Sequence, residues 1–123
     1  MYALEANTTG STLTLHLTGQ VLLDDVASFN TVMREHSKTP GIGQLVLDLG
    51  AAGRMEVAAL GVLVSLNTSM QRYGRRLVLL SLAPHMHQLL RDAEIEGFFP
   101  TCESEEELRG FIPEANIQRK TNG

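Results

Sequence analysis

The sequence holds a single cysteine, Cys102. No internal disulfide can form, and a reducing compartment, the cytoplasm, is the expectation. No apolar run approaches the roughly 20 residues of a membrane span, because the longest candidates are broken by glycine, asparagine or charge. Direct membrane insertion is therefore not expected. The opening Met1-Tyr2-Ala3-Leu4-Glu5 lacks the basic segment and apolar run of a secretory signal. Positive charge is also in short supply: 10 basic residues stand against 14 acidic ones, a net charge of −4. That balance argues against a nucleic-acid groove, which needs a concentrated basic surface. Only Arg72, Arg75 and Arg76 cluster; the trio reads either as an interaction patch or, more commonly for basic residues after a helix, as a complement to the negative end of its dipole. Neither an internal repeat nor a low-complexity segment is visible.

What is present fits one globular domain. A chain of 123 residues with 43% hydrophobic and 20% charged residues can bury a core of its own and is too short for two comfortable ones. Leu13, Leu15 and Leu17 alternate with Thr14, His16 and Thr18, the pattern of a half-buried strand. The turn-forming Asn7-Thr8-Thr9-Gly10 before it makes residues 3–7 the first arm of a hairpin. Asp24 or Asp25 is placed to cap a helix in which Val26, Phe29 and Met33 recur at helical spacing, and Pro40-Gly41 marks the following loop.

Residues 44–49 then read as a strand whose Leu45, Val46 and Leu47 run without alternation, as in a strand covered on both faces. An apolar helix follows from about Ala58, with Leu63, Leu66, Met70 and Tyr73 on one side and Gly74 at its end. Leu77, Val78, Leu79 and Leu80 form another continuous strand. Pro84 suits the first turn of a helix carrying Met86, Leu89, Leu90 and Ala93 on one face. Gly97-Phe98-Phe99-Pro100 suggests a short final strand or extended segment. Ser104 followed by Glu107 is a capping box for a last helix with Leu108 and Phe111 on its apolar side. The order β-β-α-β-α-β-α-β-α predicts an α/β fold, a mixed sheet with flanking helices in which crossovers make most pairings parallel. The domain is expected over residues 1–113, with a polar tail over 114–123.

Candidates for chemistry are weak. His85 and His87 lie two apart, which turns them to different sides of a helix and away from a shared metal. Cys102 sits among Glu103, Glu105, Glu106 and Glu107, the reverse of the electropositive setting that activates a thiol, so a buried small side chain is the better reading. Gly41-Ile42-Gly43 precedes a strand and has no lysine beside it, unlike a phosphate-binding loop. Ser65, Thr68 and Ser69 read as helix-surface or back-bonded hydroxyls. No nucleophile with a base, metal cluster or carboxylate pair stands out, so neither an enzyme, a metal nor a cofactor is expected.

The stretch Leu45-Val46-Leu47-Asp48-Leu49, followed by Met55-Glu56-Val57-Ala58-Ala59-Leu60-Gly61-Val62-Leu63, resembles the signature of the STAS family, anti-sigma factor antagonist type. In that family a buried strand leads through a short loop, usually Asp-Ser-Ser-Gly-Leu-Gly, into a helix. The resemblance continues through Gly74-Arg75-Arg76-Leu77-Val78-Leu79-Leu80, through Pro84, Leu89 and Leu90, and into Phe98-Phe99-Pro100, covering roughly residues 3–112. Here Glu56-Val57-Ala58-Ala59-Leu60-Gly61 occupies the loop frame: the acidic, leucine and second glycine positions match, and both serines and the first glycine do not.

In the family the second serine is phosphorylated by a partner kinase, which releases the antagonist. Ala58 stands at that position and has no oxygen to phosphorylate, whereas a phosphate there would add close to two negative charges to a contact surface. The resemblance therefore implies a non-catalytic, protein-binding regulatory module that has lost its phosphoacceptor. Its partner surface is expected at Glu56, Val57, Ala58, Ala59, Leu60 and Gly61, flanked by Leu22, Leu23 and Asp24 and by Ala83, Pro84 and His85. The implied partner is an anti-sigma factor with serine kinase activity or a related signalling protein. The alternatives are a STAS accessory subunit of a membrane transport ATPase, and an assembly component of a signalling particle in which such domains pair as a homo-oligomer.

Overall fold

A computed structural model describes residues 1–108. Two antiparallel strands, β1 (Tyr2–Thr9) and β2 (Thr12–Val21), open the chain and pair from Thr9↔Thr12 to Tyr2↔Gly19. The connection is shorter than the turn-forming cluster suggested: only Gly10 and Ser11 leave the ladder, Gly10 with φ +60°. A turn of 3-10 helix over Leu23–Asp25 leads into α1 (Val26–Ser37). Then come β3 (Gln44–Asp48), β4 (Ala52–Met55), α2 (Val57–Gln71), β5 (Arg76–Leu80), α3 (Pro84–Asp92) and β6 (Thr101–Cys102). A further helix opens at residue 105. Leu108 in it is buried, while Phe111 and the expected 113/114 boundary and tail lie outside the described residues.

The sheet runs β1-β2-β3-β5-β6, antiparallel between β1 and β2 and parallel from β2 to β6. This is the expected mixed sheet with flanking helices, with one addition and one shift. The addition is β4, which the sequence presented as part of a loop and which pairs in parallel with the far end of β2 through Gly19↔Ala52 and Val21↔Met55. Four residues containing Gly53 and Arg54 carry no readable period; the pairing comes from β2, which is long enough to hold β3 along its first half and β4 along its last turn. The shift is β6, which follows Pro100 instead of spanning 97–100.

Gly19 lets β2 make both pairings. Its φ is +82°, and a Cβ there would lie 2.6 Å from the Met1 carbonyl oxygen, an approach no side chain allows.

Leu13, Leu15 and Leu17 of β2, Leu45 and Leu47 of β3, and Leu77 and Leu79 of β5 form one face of the sheet. Over them pack Phe29 and Met33 of α1, Ala59, Leu60, Leu63, Leu66 and Met70 of α2, and Met86 and Leu90 of α3. Tyr73, read from its spacing as part of the α2 stripe, is 81% exposed instead. The helix has ended before it: Gly74 takes φ +72°, with Gly74 N–H donating to Gln71 O and Arg75 N–H to Met70 O, the paired closure that glycine favours. The end of α3 closes in the same way, with Glu94 at φ +61° in the glycine's place.

On the opposite face of the sheet a smaller cluster forms from Val46, Val78, Leu80, Cys102 and Leu108. There Glu107 N–H donates to Ser104 Oγ, fixing the start of the last helix, while the Glu107 carboxylate accepts from the N–H of Glu103, one residue before the cap.

Candidate functional site

The C-terminal ends of the parallel strands lie at one end of the sheet, and the turns that follow β2, β4 and β5 gather there. Glu56 N–H donates to Val21 O at 2.9 Å, which fixes the start of α2 against the end of β2. Glu56 then takes an extended conformation (ψ 148°) and serves as the N-cap residue, with no side-chain hydrogen bond to the helix. Its carboxylate makes only an exposed 3.5 Å contact with Arg54. From the other side, His85 Nε2 donates to Gly53 O at 3.1 Å, drawing the start of α3 onto β4. Gly53, Arg54, Met55, Glu56, Val57, His85 and Leu89 line an open depression of about 550 Å³ between them.

The turn after β2 is held by Asp25. Its carboxylate accepts the Leu22 backbone N–H and the Met1 ammonium, each at 3.0 Å, and these contacts, the backbone bond foremost, hold its pKa below the usual carboxylate value. Of the two aspartates offered as a cap for α1, Asp25 has the structural role, yet it binds the N–H three residues back and makes no cap bond into the helix.

The twelve residues expected at a partner surface divide by accessibility. Leu23 and Val57, 69% and 59% exposed, are large apolar side chains left open to solvent. Asp24, Ala58, Gly61, Pro84 and His85 are also exposed, while Leu22, Glu56 and Ala83 are half-buried. Ala59 and Leu60 are corrected: at 0% and 2% exposure they turn into the core, since they lie four and three residues before Leu63 on the buried stripe of α2. They hold α2 in place and offer nothing to a partner. Gly53, Arg54, Met55 and Leu89 were missed. The first three belong to the strand that had no readable period, and Leu89 was assigned wholly to the apolar face of α3.

Little here supports bond-making chemistry. His85 and His87 reach different groups, Gly53 O and, at 3.8 Å, the Glu103 carboxylate. Cys102 is buried, and that burial, reinforced by the Glu107 carboxylate, pushes its thiol pKa up, away from nucleophilic character. Among the described residues no three His, Cys, Asp or Glu side chains are grouped to hold a metal ion, and no helix is long and apolar enough to cross a membrane. What the arrangement offers is an accessible start of α2 with Val57 exposed on it, Leu23 exposed in the turn after β2, and backbone hydrogen bonds that hold the segment in place.

Residues 4–101 match the family model described as Mlab, STAS domain. No curated protein matches the chain in sequence. Among solved structures, the anti-sigma factor antagonist SpoIIAA in its unphosphorylated form superposes with a TM-score of 0.68 at 16% identity, over 90% of this chain and 98% of that one. A candidate anti-sigma factor antagonist from Thermotoga maritima gives 0.81 at 14% identity, over 89% and 94%. The murine anion transporter Slc26a9 gives 0.61 at 9% identity, over 70% of this chain and 14% of the transporter. At these identities the likeness is one of fold.

Proposed function

The chain belongs to the STAS domain family, and on that premise we propose that it is a non-catalytic, protein-binding regulatory module of the anti-sigma factor antagonist type. Its contact surface is the start of α2, with Glu56, Val57, Ala58 and Gly61, together with Leu22, Leu23 and Asp24 and with Ala83, Pro84 and His85. The observation that carries this reading is the exposure of Leu23 and Val57 at one end of the sheet. Each is an apolar side chain that stays solvated in the free domain and is removed from water by a partner. Rigid support from β2, β4 and β5 keeps those turns in place before binding, which lowers the ordering cost of association.

Ala58 occupies the second turn-opening position of α2 and is exposed, where the family carries its phosphoacceptor serine. A methyl group matches the unmodified state in charge and size, so binding at this surface is not released by phosphorylation there. The partner would be an anti-sigma factor with serine kinase activity or a related signalling protein, in the cytoplasm, and any nucleotide would belong to that partner.

The test is affinity purification from the native cell with the whole chain and with Ala58→Glu as baits, followed by mass spectrometry of the bound proteins and of the bait. A kinase-like anti-sigma factor retained by the first bait and lost with the second supports the proposal. The same partners on both baits, or a stoichiometric phosphate within residues 56–61 of the unaltered chain, contradicts it. The second reading, an accessory subunit of a membrane transport ATPase, is favoured by the occurrence of this fold inside an anion transporter; recovery of such an ATPase with the first bait would replace the main reading.

A further inference from the structure

At the other end of α2, where it and α1 finish, lies a second cavity of about 560 Å³ whose rim carries Arg34, Lys38 and Arg75. Neutral oxygens orient two of these groups: Arg34 donates from Nε to Asn30 Oδ1 and from Nη2 to Ser65 Oγ, and Arg75 donates from Nη1 to the Ser37 carbonyl. Among the described residues none of the three forms an ion pair, whereas Arg54, Arg91, His16, His87 and the Met1 ammonium each face a carboxylate elsewhere. The helix dipoles do not account for them. Two helix C-termini supply together about one negative charge, against three full cations. The site therefore keeps a surplus of positive charge on a chain whose net charge is −4, with oriented guanidinium donors left over.

The floor and wall of the cavity are apolar. Leu66 and Met70 lie beneath it, already buried at 1% and 3% exposure, and the open apolar surface is the Tyr73 ring beside it, 81% exposed. A free inorganic anion would leave the exposed Tyr73 ring uncovered, and a net charge of −4 on the chain disfavours a long polyanion. We propose that this cavity docks a short acidic segment of a protein partner, an aspartate or glutamate carboxylate on Arg34 and Arg75 and a neighbouring apolar side chain against the Tyr73 ring. The inference does not rest on the reading of the α2 start. The 15 residues of α2 separate the two sites by about 22 Å, so one domain can hold two partners, or two segments of one, at once.

The probe is a fluorescein-labelled peptide of alternating glutamate and leucine, titrated with the purified chain and followed by anisotropy. Saturable binding that weakens as salt rises, falls by about tenfold or more in Arg75→Glu, and is unchanged in Ala58→Glu supports the proposal. Because Arg75 bonds the backbone at Ser37, Lys38→Glu and Tyr73→Glu, exposed and without side-chain hydrogen bonds, are the variants that keep the fold and must weaken binding in the same direction. Three results overturn it: no saturable binding, equal or tighter binding of a short single-stranded oligonucleotide, or a concentration-dependent gain in sedimentation mass that Lys38→Glu abolishes, which would make a second copy the occupant.

Discussion

Leu47 and Val46 are neighbours on β3, both fully buried, and they face opposite sides of the sheet beneath very different amounts of protein. Leu47 lies under three helices, in a cluster that draws on α1, α2 and α3. Val46 lies under a thin layer made of Val78, Leu80, Cys102 and Leu108. The same side of the sheet then becomes polar toward β1, where Thr14 and His16 project beside Asn7 and Glu5. One face is thus dry from β2 to β5, with Ala6 and Thr8 of β1 exposed at its edge, and supplies most of the apolar burial that holds the domain together. The other is dry only from β3 to β6. Leu23, Val57, Ala58 and Tyr73 are exposed outside both clusters, so these side chains can change without emptying the core.

Truncation on the two faces tests this most directly. Leu47→Ala should cost about 2–5 kcal/mol of unfolding free energy, because a leucine-sized void under three packed helices cannot collapse. Val46→Ala should cost about 2 kcal/mol, two methyl groups plus a smaller cavity beneath a layer that can settle. Urea denaturation of both variants measures the difference. Equal costs would mean that the thin layer packs as firmly as the helices and would remove the asymmetry.

The asymmetry is also what made most of the fold legible. Alternation in β2 and continuous apolar runs in β3 and β5 reported, residue by residue, which strands have one covered face and which have two. Pro84 and the Ser104/Glu107 pair marked helix starts by local chemistry that does not depend on the rest of the chain. What could not be read was set at a distance. β4 exists because β2 extends past β3 and pairs with it. Asn67 is fully buried in α2, its Oδ1 3.4 Å from the Leu77 nitrogen and its Nδ2 without a partner among the described residues, a polar insertion in a leucine stripe that no local pattern signals. In the candidate site the frame of Glu56 to Gly61 was legible and its accessibility was not. Ala59 and Leu60 face inward because they already belong to α2, four and three residues before Leu63, on the stripe that continues through Leu66 and Met70.

A smaller effect is expected at Cys102, which closes the thin layer. Its thiol pKa is raised in the folded chain, chiefly by burial and further by the Glu107 carboxylate. The folded state then holds the thiol proton more tightly than the unfolded state. The corresponding stability is fully present below the unfolded thiol pKa, about 8.5, and is lost as the pH rises through that value toward the folded one. Urea midpoints should fall across that alkaline range in the unaltered chain and fall less in Cys102→Ala, whose loss near neutral pH should be about 1 kcal/mol. A midpoint with the same alkaline slope in both chains would show that another group carries the titration.

The smallest effect belongs to the polar margin of the open face. His16 Nδ1 and Asp48 Oδ2 lie 2.7 Å apart across β2 and β3, with side chains 35% and 24% exposed. The pair is well aligned but remains in contact with water, so solvent screens it and its coupling should be between about 0.2 and 1 kcal/mol. His16→Ala alone should therefore cost less than about 1 kcal/mol, well below either core truncation. The double-mutant cycle of His16→Ala with Asp48→Ala isolates the coupling. A value in that range confirms that the open face adds little to stability beyond its central apolar layer. A coupling of about 2 kcal/mol or more would require the pair to be shielded from water, which only an additional cover over this side of the sheet could provide, and the two faces would then be more alike than the burial of Leu47 and Val46 implies.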